Sequence, residues 1–169
     1  MTFAVRTLIG EGFAGSGQNA AHINTVLGRK GGPVETAWAS ALATPREGHV
    51  PFVVVLRPNL PVKPLTLFVN KASIDGDRHA TLTWGAAQAG VAQGVLGAVA
   101  DGIVPAPEVE DLLLIAAVWV DWAADDEETV YENNVQGTTD ALASAVEGLP
   151  ELDELLGLRD APENPFFRR

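Results

Sequence analysis

Residues 51–71 read Pro51-Phe52-Val53-Val54-Val55-Leu56-Arg57-Pro58-Asn59-Leu60-Pro61-Val62-Lys63-Pro64-Leu65-Thr66-Leu67-Phe68-Val69-Asn70-Lys71. Pro51 to Leu56 is an apolar, β-branched run of the kind found in a buried strand. Arg57 to Pro64 must be extended, because three prolines in seven residues remove N–H donors and restrict their neighbours. Leu65 to Val69 is a second strand, with Asn70-Lys71 at its end. Downstream, Thr83 to Ala100 reads as a helix of small residues and Leu112 to Trp122 as the longest strand candidate. Strands and helices in succession make this a mixed α/β chain.

Upstream, Val5 to Ile9 alternates weakly and runs into the glycine-rich Gly10-Glu11-Gly12-Phe13-Ala14-Gly15-Ser16-Gly17, expected to form turns. Ala21 to Leu27 reads as a strand with Ile23, Thr25 and Leu27 on one face and His22, Asn24 and Val26 on the other. Gly31-Gly32-Pro33 then opens a short helix through Val34, Ala37, Trp38, Ala41 and Leu42, ending at Thr44-Pro45. Gly85, Gly90, Gly94 and Gly97 each cost the later helix about 1 kcal/mol relative to alanine. Close packing against a sheet or another subunit must compensate. Asp125 as N-cap with Glu128 three positions on predicts a last helix to about Glu147. Residues 1–148 form one domain, and residues 149–169, ending Asn164-Pro165-Phe166-Phe167-Arg168-Arg169, are expected to be a surface tail or subunit arm.

The 169 residues are 47% apolar, enough for a real core, and carry a net charge of −11. Nucleic acid and anionic membranes are therefore poor partners. The charge is uneven: residues 22–79 hold 7 basic and 4 acidic groups, whereas residues 80–169 hold 3 basic and 17 acidic. A small anionic ligand is steered to the first half. The absence of cysteine excludes disulfides, thiolate metal sites and cysteine nucleophiles. Met1 to Arg6 lacks the pattern of a signal peptide, so a cytoplasmic protein is expected. Gln88, Gln93 and Asp101 and the lack of bulky aliphatics argue against reading Thr83 to Ala100 as a membrane span.

Gly10-x-Gly12-x-x-Gly15 matches the dinucleotide-binding fingerprint by letter, but a second turn and a strand follow where a helix must open to hold a pyrophosphate. The turn reading is preferred. No Gly-x-Ser-x-Gly elbow or His-x-x-x-His pair occurs, and His22, His49 and His79 are too scattered to argue a metal site. His22 stands out because it follows a flexible turn and shares a strand face with Asn24. Lys71 and Ser73 lie with same-face spacing just beyond an apolar strand, a common place for ligand groups. Gln88 lies within the glycine-rich helix, facing either solvent or a site.

Taken together, these residues resemble the formaldehyde-activating enzyme family, tetrahydromethanopterin-dependent hydro-lyases of one-carbon metabolism. The matching pattern is Gly10-Glu11, Gly15-x-Gly17, Ala21-His22-Ile23, Pro33-x-Glu35-Thr36-Ala37, Pro58-Asn59-Leu60-Pro61-x-Lys63-Pro64-x-Thr66-Leu67, Asn70-Lys71, Gly85-x-Ala87-Gln88-x-Gly90-Val91-Ala92 and Gly102-Ile103-x-Pro105-Ala106. It runs from about residue 9 to residue 106, and more loosely, through Trp122, Asn134 and Thr138, to about residue 148.

The resemblance implies a two-layer α/β sandwich with a left-handed βαβ crossover, an exception to the usual handedness. It further implies a homopentamer with sites between neighbouring subunits. His22 falls on the family's acid, and Asn24, Val53, Lys71, Ser73 and Gln88 on its pterin-binding positions, with no metal. Three positions depart from the family pattern: Asn24 stands for aspartate, Val53 for leucine and Ser73 for threonine. The implied reaction condenses formaldehyde with tetrahydromethanopterin, as co-substrate, to the methylene derivative and water, with His22 donating the proton that removes hydroxide. The competing class is a non-catalytic paralogue that binds or senses a reduced pterin or its formaldehyde adduct. Asn24 favours that class, because it removes a charged acceptor and a negative neighbour of His22.

Overall fold

A computed structural model of the chain describes residues 7–165. Five strands form one mixed sheet in the order β1 (Leu8–Ala14), β2 (Ala21–Arg29), β7 (Leu112–Trp119), β6 (Leu65–Asn70) and β3 (Phe52–Val53). Only β6 and β7 run parallel; the other neighbours are antiparallel. A two-stranded ribbon, β4 (Val55–Arg57) with β5 (Leu60–Pro61), fills the proline-rich stretch. α1 (Pro33–Ala43) follows β2 and rests on β2 and β7, with Pro33 in the first turn, as the sequence predicts.

The register sorts the sheet into two faces. Gly12, Ile23, Val118 and Asn70 stand in one row and Gly10, Thr25, Ala116 and Phe68 in the next. This face is covered by helices and holds the core, in which Ile23, Leu27, Phe68, Leu114 and Val118 meet Val91, Val95, Ala141 and Leu142. The opposite face carries Glu11, Phe13, His22, Asn24, Ala117 and Trp119. The alternation read along β2 is correct residue by residue.

The expected turn at Gly10 and Gly12 is instead the middle of β1, and Val5 and Arg6 of the expected strand lie outside the described residues. A Cβ on Gly10 would come 1.8 Å from the Ala141 carbonyl oxygen, and one on Gly12 would come 2.1 Å from that of Gly137. Glycine is required because α4 (Glu127–Glu147) lies directly against the strand. The chain turns later, at Gly15 and Gly17, both with positive φ, and in the 3-10 turn Gly17–Asn19.

Pro51 to Leu56 is not one buried strand. It breaks at Val54, which alone of the run is fully buried and whose N–H bonds Thr66, while β3 lies at the sheet edge. The glycine-rich helix starts earlier than Thr83: α2 (Gly76–Thr81), a π-helical stretch (Leu82–Ala87) and α3 (Gln88–Ala100) run on continuously and link β6 to β7. Its compensating partner is α4 of the same chain. A Cβ on Gly90 would come 2.5 Å from the Tyr131 carbonyl oxygen, and one on Gly94 would come 2.8 Å from that of Val135.

α4 starts one residue later than expected. Asp126, not Asp125, is the N-cap, accepting the Thr129 N–H at 2.9 Å, while Asp125 accepts the Asn19 amide at 3.0 Å. α4 ends at Gly148 in the left-handed conformation, and α5 (Leu152–Leu158) follows with no buried residue. Among the described residues, no helix is long and apolar enough to cross a membrane.

Candidate active site

The site is built on the sheet face that the long helices leave uncovered. β1 contributes Glu11 and Phe13, β2 contributes His22 and Asn24, β7 contributes Trp119, and Lys71 follows the last residue of β6. Together they line a cleft of about 830 Å³, large enough for a fused-ring ligand. Glu163, Asn164 and Pro165 close one side of it. Glu163 of the acidic second half therefore lies beside candidate residues of the first half, to which the charge distribution alone assigned an anionic ligand.

Local chemistry fixes Lys71. Asn70 is buried and donates its amide to the carbonyls of Gly48 and Ala72, at 2.8 and 2.6 Å, which ties down the chain leaving β6. The Lys71 N–H bonds the Val118 carbonyl at 2.7 Å, so the backbone keeps strand-like pairing one residue past β6. Its ammonium donates to Asn24 Oδ1 at 2.8 Å. Because an ammonium only donates, the oxygen of Asn24 must face Lys71, and its NH₂ group is left for the cleft. Burial pushes the Lys71 pKa down to about 8, with Glu11 opposing.

His22 Nε2 lies 3.1 Å from Glu11 Oε1, and the imidazole centroid is 6.1 Å from that of Phe13. Burial and then the Lys71 charge hold the His22 pKa below its ordinary value, against the raising effect of Glu11. The neutral imidazole is thereby favoured relative to a free histidine, and Glu11 is the group that offsets part of this. The other histidines have different work. His79 is buried, accepts the Asp75 N–H at Nδ1 and places Nε2 3.1 Å from the Val120 carbonyl, an anchor for α2. His49 is part of the Arg46–His49 turn. Among the described residues, no three His, Asp or Glu side chains gather as a metal site.

Of the six candidates, His22, Asn24 and Lys71 converge in this cleft. Gln88 does not join them within one chain. It lines a separate hollow of about 310 Å³ with Val50, Phe52, Val55 and Trp84, and its Oε1 accepts the Val55 N–H at 2.7 Å, which patches the break between β3 and β4. Val53 lies on the edge strand β3, and Ser73 is exposed, its carbonyl accepting the Trp122 indole N–H at 2.9 Å. Glu11 is the charged group on the sheet face that the sequence reading missed as a site residue, along with the aromatic rings of Phe13 and Trp119. The signal for Glu11 was hairpin pairing, which puts it opposite Asn24 once β1 is recognised as a strand.

Fold and cleft together define a mixed α/β protein that presents an imidazole, an ammonium and an amide to a small ligand. Residues 9–167 match the family model described as formaldehyde-activating enzyme, and the chain belongs to that family. It is 43% identical over 162 residues to a 5,6,7,8-tetrahydromethanopterin hydro-lyase of Methanosarcina barkeri, an alignment covering 96% of this chain and 91% of that protein. It is 39% identical over 148 residues to a bifunctional enzyme Fae/Hps of Methanosarcina mazei, covering 88% of this chain but 38% of that protein. A similar enzyme of Archaeoglobus fulgidus is 35% identical over 161 residues, covering 95% of this chain and 41% of that protein. The chain thus corresponds to one part of the bifunctional proteins.

Proposed function

We propose that this protein condenses formaldehyde with tetrahydromethanopterin, releasing water, as a carbon-oxygen hydro-lyase with His22 as general acid. The convergence of His22, Asn24 and Lys71 on one cleft carries this reading, within a chain 43% identical to a tetrahydromethanopterin hydro-lyase. A ring nitrogen of the reduced pterin attacks formaldehyde to give a carbinolamine. Protonation by His22 turns its hydroxyl into departing water and leaves an iminium, and a second pterin nitrogen closes the methylene bridge. Expelling hydroxide is the difficult step, and a positioned acid contributes about 10²–10⁴ in rate. Holding the reactants in the cleft in a reactive orientation supplies much of the rest.

Lys71 suits a pterin carbonyl or another electron-rich edge. Asn24, with its oxygen turned to Lys71, offers N–H donors, so it suits an acceptor edge where an aspartate would suit a donor edge. Val53, Ser73 and Gln88 complete the pterin site, Gln88 from the second hollow. Gln88 and His22 line separate hollows, so a site shared by both needs two protomers; this supports sites at subunit boundaries, in the homopentamer that the family resemblance implies. The left-handed crossover between β6 and β7, a cytoplasmic location and residues 149–169 as a subunit arm belong to the same proposal.

A second reading, a paralogue that binds the pterin or its formaldehyde adduct without speeding the condensation, is favoured by Asn24. Titration with tetrahydromethanopterin, followed by condensation kinetics measured against the spontaneous rate, separates the two. Binding with acceleration supports the enzyme; binding alone supports the carrier or sensor; no binding removes both.

A further inference from the structure

Glu11 sits on β1 directly opposite Asn24, and its carboxylate meets Nε2 of His22 at 3.1 Å. A carboxylate at Nε2 keeps a proton on that nitrogen, so Nδ1 is the nitrogen left to exchange a proton with a ligand. The charged groups facing His22 are Glu11 on β1, Lys71 after β6, and Glu163 of the C-terminal segment that lines the same cleft. With the Lys71 ammonium nearby, a second cation in a half-buried cleft is disfavoured unless a carboxylate balances it. Glu11 is placed to do so through both charge and hydrogen bond.

We propose that Glu11 is a positioning residue: it holds the Nε2–H of His22, presents Nδ1 as the proton-donating nitrogen and stabilises the imidazolium on which hydroxide expulsion depends. This rests on the reading of His22 as general acid. In that step the Nδ1–H bond breaks, an O–H bond forms on the carbinolamine oxygen, and the C–O bond breaks to release water. The positive charge passes from imidazolium to iminium. When the second pterin nitrogen closes the ring, its proton returns to Nδ1, and Glu11 stays ionised throughout.

Glu11→Gln keeps the shape and removes the charge, and Glu11→Asp keeps the charge on a shorter arm. In ¹⁵N-histidine NMR titrations of the protein without substrate, the His22 midpoint is expected at lower pH in Glu11→Gln than in wild type, with partial return in Glu11→Asp. In kinetics above the spontaneous rate, Glu11→Gln is expected to lower kcat at pH 7 by about three- to tenfold, with KM for the pterin little changed and the optimum displaced to acid. An unmoved midpoint overturns the coupling, and a moved midpoint with an unchanged pH–rate profile overturns the positioning role. Full activity in His22→Ala overturns the general-acid reading itself, whatever the titration gives.

Discussion

Lys71 carries the largest burden at the scale of single residues. Its ammonium is half-buried, donates to the neutral amide of Asn24 and has its pKa pushed down to about 8. Between pH 8 and the ordinary value of 10.5 the unfolded chain binds this proton more than the folded one. Stability therefore rises with pH through that window, and below it the full cost of burying the charge is present. Lys71→Met is expected to raise Tm at pH 7 by about 2–4 °C while weakening pterin binding, with the stability gain shrinking as pH approaches 10. A lower Tm at pH 7 contradicts a residue kept for function at the expense of stability. Binding that depends on the ammonium should also weaken as pH rises through about 8, read by titration calorimetry. For Asn24→Asp, the restored carboxylate is expected to increase affinity or rate toward tetrahydromethanopterin, and a neutral result removes position 24 from the contact surface.

Between elements, glycine separates two situations that look alike in sequence. Gly12 lies under α4, where a Cβ would come 2.1 Å from a backbone oxygen, whereas Gly97 in α3 has nothing within 4 Å of a built Cβ. Gly12→Ala is expected to cost about 3 kcal/mol or more, as overpacking against rigid backbone does. Gly97→Ala is expected to gain about 0.5–1 kcal/mol from helix propensity and a more restricted unfolded chain. Urea unfolding of the two variants checks this, and equal effects would contradict it. The same contrast explains what could be read beforehand. The faces of β2 follow from a local period of two and were legible, as were α1 and the end of α4. The strand at Gly10 and Gly12 was not, because the reason for glycine lies more than a hundred residues away, at Gly137 and Ala141. Missing that strand hid Glu11, and the break at Val54, patched by Gln88, was likewise invisible to a local apolar pattern.

For the whole molecule, the question is how a cleft with His22 and a hollow with Gln88 can serve one ligand. Chemistry-bearing residues were legible as types on strand ends, but their grouping depends on sheet order and, in the proposed assembly, on a second copy of the chain, neither of which is written in a local stretch. If sites form between protomers, His22→Ala and Gln88→Ala subunits denatured and reassembled together should recover part of the activity that each lacks alone. Failure to recover any activity in verified mixed oligomers places both residues in one protomer or Gln88 outside the site. The central claim remains the acid chemistry of His22. Its most direct test is the rate of methylene-tetrahydromethanopterin formation from formaldehyde and tetrahydromethanopterin at neutral pH, with the spontaneous rate subtracted, for wild type and His22→Ala. Wild type should exceed the spontaneous reaction, and His22→Ala should lose at least about tenfold of that excess with pterin affinity little changed. An equal excess rate in the two proteins would contradict the account.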